Sequence, residues 1–195
     1  MAAFPSITPD SMTMSSVNPT RMNRTLNGIV QRTSSTGQYF TLTASFGALS
    51  QTEQRQISAH INAQSGPLQS FALSLPSYLG DSTGSYSGSI TTNGTNAVGA
   101  TTIGINATGT YPTLKAGDLI QFANHDKLYT VTADVNSPGT SISITPPLRT
   151  AVSGGSTVKH KSLTITVRYA TENQEFTIGL EQFPSFNIEF EEVLS

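Results

Sequence analysis

The chain contains no cysteine. That excludes disulfide frameworks, thiolate metal sites and cysteine nucleophiles together. It is also short of charge: Asp, Glu, Lys and Arg make up 11% of its 195 residues, against about a quarter in an average domain. The net charge is −2, so no global basic field exists to hold nucleic acid or an anionic membrane. Long apolar runs are missing too. The uncharged stretch from Tyr86 to Leu114 is rich in Gly, Ser and Thr and far too polar to cross a bilayer. The opening MAAFPSITPDSM has neither the basic start nor the apolar run of a secretory leader, so a soluble protein made in the cytoplasm is expected.

What fills the chain is Ser and Thr, roughly fifty between them, with 16 Gly and 10 Pro. Such a mix disfavours long surface helices and favours short strands joined by turns. The length suits one large domain or two small ones, able to bury roughly 70% of the surface that the unfolded chain exposes.

Pro5, Pro9 and Pro19 punctuate the first stretch and forbid a regular helix or central strand there, so residues 1–23 read as an extended N-terminal arm. Leu26, Ile29 and Val30 then suggest a strand, closed by a turn at Thr33 to Gly37. Tyr39 to Phe46 alternates cleanly, with Phe40, Leu42, Ala44 and Phe46 on one face. It reads as a half-buried strand and the antiparallel partner of the one before it. Ser50 and Glu53 form a capping box ahead of Ile57 and Ile61, which predicts an amphipathic helix of about fourteen residues ended by Gly66-Pro67. Leu68, Phe71, Leu73 and Leu75 suggest a strand stopped by Pro76.

The Gly-rich run from Gly80 to Gly109 alternates weakly at Ala97, Val98, Ile103 and Ile105. It reads as short strands with loose turns, with a low-complexity disordered segment as the alternative. Turn signals at Ala116-Gly117-Asp118, Asn124-His125-Asp126, Asn136 to Gly139 and Ser153 to Ser156 divide the following stretch into four short strands, a small barrel or meander. Leu163, Ile165, Val167 and Tyr169, then Phe176, Ile178 and Leu180, then Phe186, Ile188 and Phe190 give three more strands. The expected fold is therefore mainly β: a β-sandwich with one amphipathic helix and an inserted small β-barrel-like domain. Residues 24–80 and 161–195 form the sandwich core, and residues 81–160 form the insertion.

Candidate chemistry is sparse. His60, His125 and His160 have no partner at zinc-ligand spacing such as H-E-x-x-H. His125-Asp126 reads as a turn pair that caps backbone. No G-x-S-x-G elbow occurs, and Gly84-Ser-Tyr-Ser-Gly88 is not followed by the helix or the G-K-S/T of a phosphate loop. The sequence thus offers no catalytic residue, no cofactor site and no metal site. Charge is segregated, however. Arg21, Arg24 and Arg32 face a single acid, Asp10, at one end, whereas Glu172, Glu175, Glu181, Glu189, Glu191 and Glu192 follow the last base, Arg168, at the other. A solvated sheet face explains the glutamates alternating with Phe186, Ile188 and Phe190. Complementary ends also suit head-to-tail contacts between copies, making Arg21, Arg24, Arg32, Glu189, Glu191 and Glu192 candidate subunit contacts.

Six stretches together carry a resemblance. They are F-P-S-I-T-P (Phe4 to Pro9), N-G-I-V-Q-R (Asn27 to Arg32), G-P-L-Q-S-F-A-L-S-L-P (Gly66 to Pro76), A-G-D-L-I-Q-F (Ala116 to Phe122), P-P-L-R (Pro146 to Arg149) and F-N-I-E-F-E-E (Phe186 to Glu192). The chain resembles small minor tail proteins of tailed bacteriophages, of the distal-tail or baseplate-ring kind. The resemblance implies a non-enzymatic virion structural protein, made in the host bacterial cytoplasm and located in the tail. It implies rings, commonly hexamers, of β-sandwich domains. Partners would be other copies of itself and other phage tail or baseplate proteins such as hub, sheath or fibre. No nucleic acid and no membrane are expected. Alternatives are a receptor- or glycan-binding module of the tail, for which Tyr86, Tyr111 and Tyr129 would be the aromatic platform, or another virion adaptor or decoration protein. An enzyme would use a Glu172/Glu175 or Asp118/Asp126 pair.

Overall fold

A computed structural model describes residues 3–34, 37–83, 87–110, 114–135, 139–172 and 186–194. The expected strand at Phe176 to Leu180 and the Asn136 to Gly139 turn (apart from Gly139) lie outside the described residues. In chain order the elements are β1 (Ser11–Val17), β2 (Thr20–Arg24), β3 (Val30–Ser34), β4 (Tyr39–Phe46), α1 (Gln51–Gln64), β5 (Phe71–Ser74), α2 (Ser77–Gly80) and β6 (Ser87–Thr92). There follow β7 (Thr102–Thr110), β8 (Leu119–Phe122), β9 (Leu128–Val131), β10 (Ser141–Thr145), β11 (Thr157–Lys159), β12 (Thr164–Tyr169) and β13 (Phe186–Glu192). The protein is mainly β, with sheets in a sandwich-like arrangement, an amphipathic helix and a closed six-stranded barrel. It divides into two compact units, residues 1–72 with 166–195, and residues 73–165.

The first unit is built on a sheet of order β1-β4-β13-β12-β5. Alternation in β4 puts Phe40, Leu42, Ala44 and Phe46 in the core, joined from β13 by Ile188 and Phe190 and from β12 by Val167 and Tyr169. The helix α1 forms as its capping box demands: Ser50 Oγ accepts from Glu53 N–H, and the Glu53 carboxylate accepts from Ser50 N–H at 2.8 Å. Ile57 and Ile61 are buried. Ser65 at the C-cap and Gly66 both adopt positive φ, so the helix stops there.

Three readings of this unit are corrected. The N-terminal stretch is extended, but Ser11–Val17 belongs to the sheet: as β1 it pairs along its whole length with β4, and Phe4 N–H donates to Ala72 O at 3.0 Å. Pro9 and Pro19 flank β1 and cost it no ladder bond. Second, β4 does not pair with the Leu26–Val30 segment. Its partners are β1 and β13, because β2 and β3 pair with each other beyond Pro19. Third, Leu68 lies in a short 3-10 turn, Gly66–Leu68, and is exposed; the strand begins at Phe71.

The second unit holds the barrel, closed in the order β10-β7-β6-β11-β8-β9. Ile90, Ile103, Ile105, Ile120, Phe122 and Val131 fill its interior from four of the six strands, the alternate-residue packing a small barrel requires. The Gly-rich run is structured within its described residues, supplying β6 and β7. Ala97 and Val98 lie outside those strands and are exposed. Gly154 explains part of the composition: a Cβ there would come within 3.1 Å of the Gly94 backbone, so two turns pack main chain on main chain. Chain entry and exit are tied together, with Ser82 N–H donating to His160 O and Ser162 N–H to Asp81 Oδ1 at 2.7 Å.

Candidate functional site

Apart from the first unit's sheet, β2 and β3 form a separate two-stranded ribbon. Asn18 and Pro19 lead into it from β1. The ribbon closes through Thr25 to Ile29: Gly28 N–H donates to Thr25 O at 2.9 Å and Thr25 N–H to Ile29 O at 3.0 Å, with Gly28 at φ 78°. This is a three-residue loop ending in a left-handed residue, for which glycine is the natural choice. No residue from Thr20 to Thr33 is buried. Antiparallel partners share a face, so the pairs Met22↔Arg32 and Arg24↔Val30 put two apolar and two cationic side chains together. Leu26 and Ile29 stand at the tip. Met22, Leu26, Ile29 and Val30 are among only seven exposed large apolar residues in the described chain. Such a cluster on one small element is a candidate interaction surface.

Arg21, Arg24 and Arg32 therefore sit together on this ribbon, Arg21 on the face opposite the other two. The glutamates separate. Glu189 is exposed on β13. Glu191 accepts from Arg168 at 2.8 Å. Glu192 is buried, with its Oε2 accepting from Phe40 N–H at 2.8 Å, so it is not part of the solvated face expected for these residues. The reason is parity, since Glu192 shares a strand face with Ile188 and Phe190. Around the end of β13 lies a cleft of about 510 Å³. Pro67, Leu68, Val193 and Leu194 supply its apolar lining, the Arg168–Glu191 pair its charged side, and Gly37 and Tyr39 its border at the root of the ribbon.

The histidines occupy three separate settings. His60 reaches from α1 into a cluster of aromatic rings, edge-on to Phe71 with centroids 4.7 Å apart, and its Nδ1 lies 2.9 Å from Tyr169 Oη. Burial lowers the His60 pKa and raises that of Tyr169 above its ordinary value. Gln64 Nε2 lies 3.5 Å from His60 Nε2 while the buried Gln64 Oε1 has no partner. Exchanging the two amide atoms lets Oε1 accept from His60 Nε2–H while Tyr169 donates to Nδ1. His125 bonds Asn124 Oδ1 and Tyr129 Oη, at 2.9 and 2.8 Å, and burial lowers its pKa against the raising effect of Asp126. His160 Nδ1 lies 2.8 Å from Ser82 Oγ, a pair half-enclosed in the barrel unit. Burial lowers its pKa first and Lys161 adds to this, opposed by Asp118 and Asp81.

The other residues weighed from sequence are met only in part among the described residues. Asp118 is buried and receives Thr83 N–H, Thr83 Oγ–H and Lys115 N–H, which makes it a loop clamp. Tyr129 is fully buried and so cannot serve in an exposed aromatic platform; Tyr86, Tyr111 and Glu175 lie outside the described residues, as does Glu181. No group of three or more metal-ligating side chains occurs among the described residues, and no helix there is long and apolar enough to cross a membrane. No family model and no curated protein matches the chain.

The ribbon went unread in the sequence, although Asn27-Gly28 flanked by potential strand residues is a strong hairpin signal. The cleft had no sequence signal, because residues from four separated stretches line it.

Proposed function

We propose that this chain is a bacteriophage virion structural protein of the tail tip or baseplate, assembling as a ring that connects the tail tube to hub, sheath or fibre proteins. One observation carries the assembly: the exposed β2–β3 ribbon, with an apolar and cationic face and no acid of its own. A two-stranded ribbon is marginal alone in water, and burial of its four large apolar side chains on a neighbour would contribute favourably at ~25 cal/mol per Å². A protruding element that fits a different surface on the next copy is a heterologous contact, and such contacts close into rings when the rotation permits. The tail location rests on the resemblance of the packing and turn motifs to distal-tail and baseplate-ring proteins.

Gold-labelled antibodies against the chain test the location. On virions of the phage that encodes it, label is expected at one end of the tail. Virions without label there, from lysates in which the chain is present, would contradict the proposal.

A further inference from the structure

We infer that the partner of the ribbon is the cleft at the end of β13 on a second copy of this chain, with Leu26 and Ile29 of one copy entering beside Leu68 of the next. The inference rests on the ring reading and names the surface that reading requires. Three observations meet. First, the cleft's volume of about 510 Å³ is ample for a two-side-chain anchor. Second, the apolar surfaces match. Of the seven exposed large apolar residues among those described, four are on the ribbon and a fifth, Leu68, lines the cleft. Third, the charges are complementary. The ribbon brings Arg21, Arg24 and Arg32 with no acid, whereas Glu191 at the cleft is already paired with Arg168 and exposed Glu189, on the same face of β13 as Glu191, supplies a negative charge beside it.

Geometry excludes the ribbon's own cleft. Gly37 and Tyr39 border the cleft within five residues of the end of β3 at Ser34, so the cleft lies at the ribbon's root. At ~3.3 Å per residue, the ribbon carries its tip roughly 20 Å from that root. Each copy thus has a tip it cannot use on itself and a cleft it cannot fill, which is the condition for a head-to-tail chain of copies.

The absence of cysteine makes the test clean. Two full-length variants, Leu26→Cys and Leu68→Cys, are mixed and treated with a short bis-maleimide, and products are resolved by mass. A covalent pair of the two variants is expected, about tenfold or more above the mixture of Leu26→Cys with Val98→Cys, because a docked contact holds the thiols at high effective concentration. Yield no greater than that control overturns the cleft assignment. So does an internal crosslink in a chain carrying both cysteines, which would place the tip in its own cleft. Light scattering on the unmodified protein separates the two levels. A defined multimer without the crosslink sinks the cleft and leaves the ring; a monomer without the crosslink sinks both.

Discussion

Glu192 shows how one side chain can end a ladder between two strands. The β4–β13 ladder runs to Glu191↔Thr41, and at the next step the carboxylate of Glu192 takes the N–H of Phe40 in the buried interior. Glu192→Ala removes the acceptor of a buried N–H and should destabilise the first unit by ~1–3 kcal/mol, with Glu192→Gln closer to the parent because it keeps an oxygen in place. Equal denaturant midpoints for the parent and the alanine variant would show that this bond contributes nothing. The histidines make a second residue-scale prediction. All three are held below the ordinary value of 6.5, with burial the leading cause. The folded chain therefore stays neutral at these sites while the unfolded chain takes up protons as the pH falls through that value. Stability is full above it and declines below it. The thermal midpoint should drop between about pH 7.5 and about pH 5.5; a flat profile would contradict the assignment.

Among elements, α1 was the most legible in sequence, since its cap, its buried face and its stop are all local. Ser50→Ala removes the side-chain acceptor for Glu53 N–H and should cost ~1 kcal/mol, measured by denaturant unfolding. Strands such as β4 and β12 were legible for a similar reason, because period-2 alternation reports burial directly. Their pairing was not. The β4 neighbours β1 and β13 come from opposite ends of the chain, and nothing local in Tyr39 to Phe46 specifies either. Edge strand β1 was masked by its flanking prolines, and its weak apolar content is what an edge tolerates. The ribbon failed the pattern test because its apolar residues face solvent; Leu26 and Ile29 look like core residues until the fold shows no core beneath them. Of the candidate site, the arginine cluster was visible in sequence. The fates of Glu191 and Glu192 were not, since they depend on strand parity and on Arg168 across the ladder.

At the scale of the whole molecule, labour divides between two compact units. The barrel unit is closed on itself, with no free edge among its six strands, and its candidate side-chain pairs act as clamps. The sheet unit carries the unsatisfied surfaces, a ribbon with four exposed apolar residues and a cleft beside its root. A chain without cysteine, with few charges and with such surfaces is suited to persist by packing and assembly. That makes self-association through the ribbon the central claim. Light scattering coupled to size-exclusion chromatography tests it most directly, on the parent protein and on a Leu26→Asp/Ile29→Asp variant over a range of concentrations. The account predicts a multimer of one defined mass for the parent and a folded monomer for the variant. A parent that stays monomeric at every concentration, or a variant that assembles as the parent does, would contradict it.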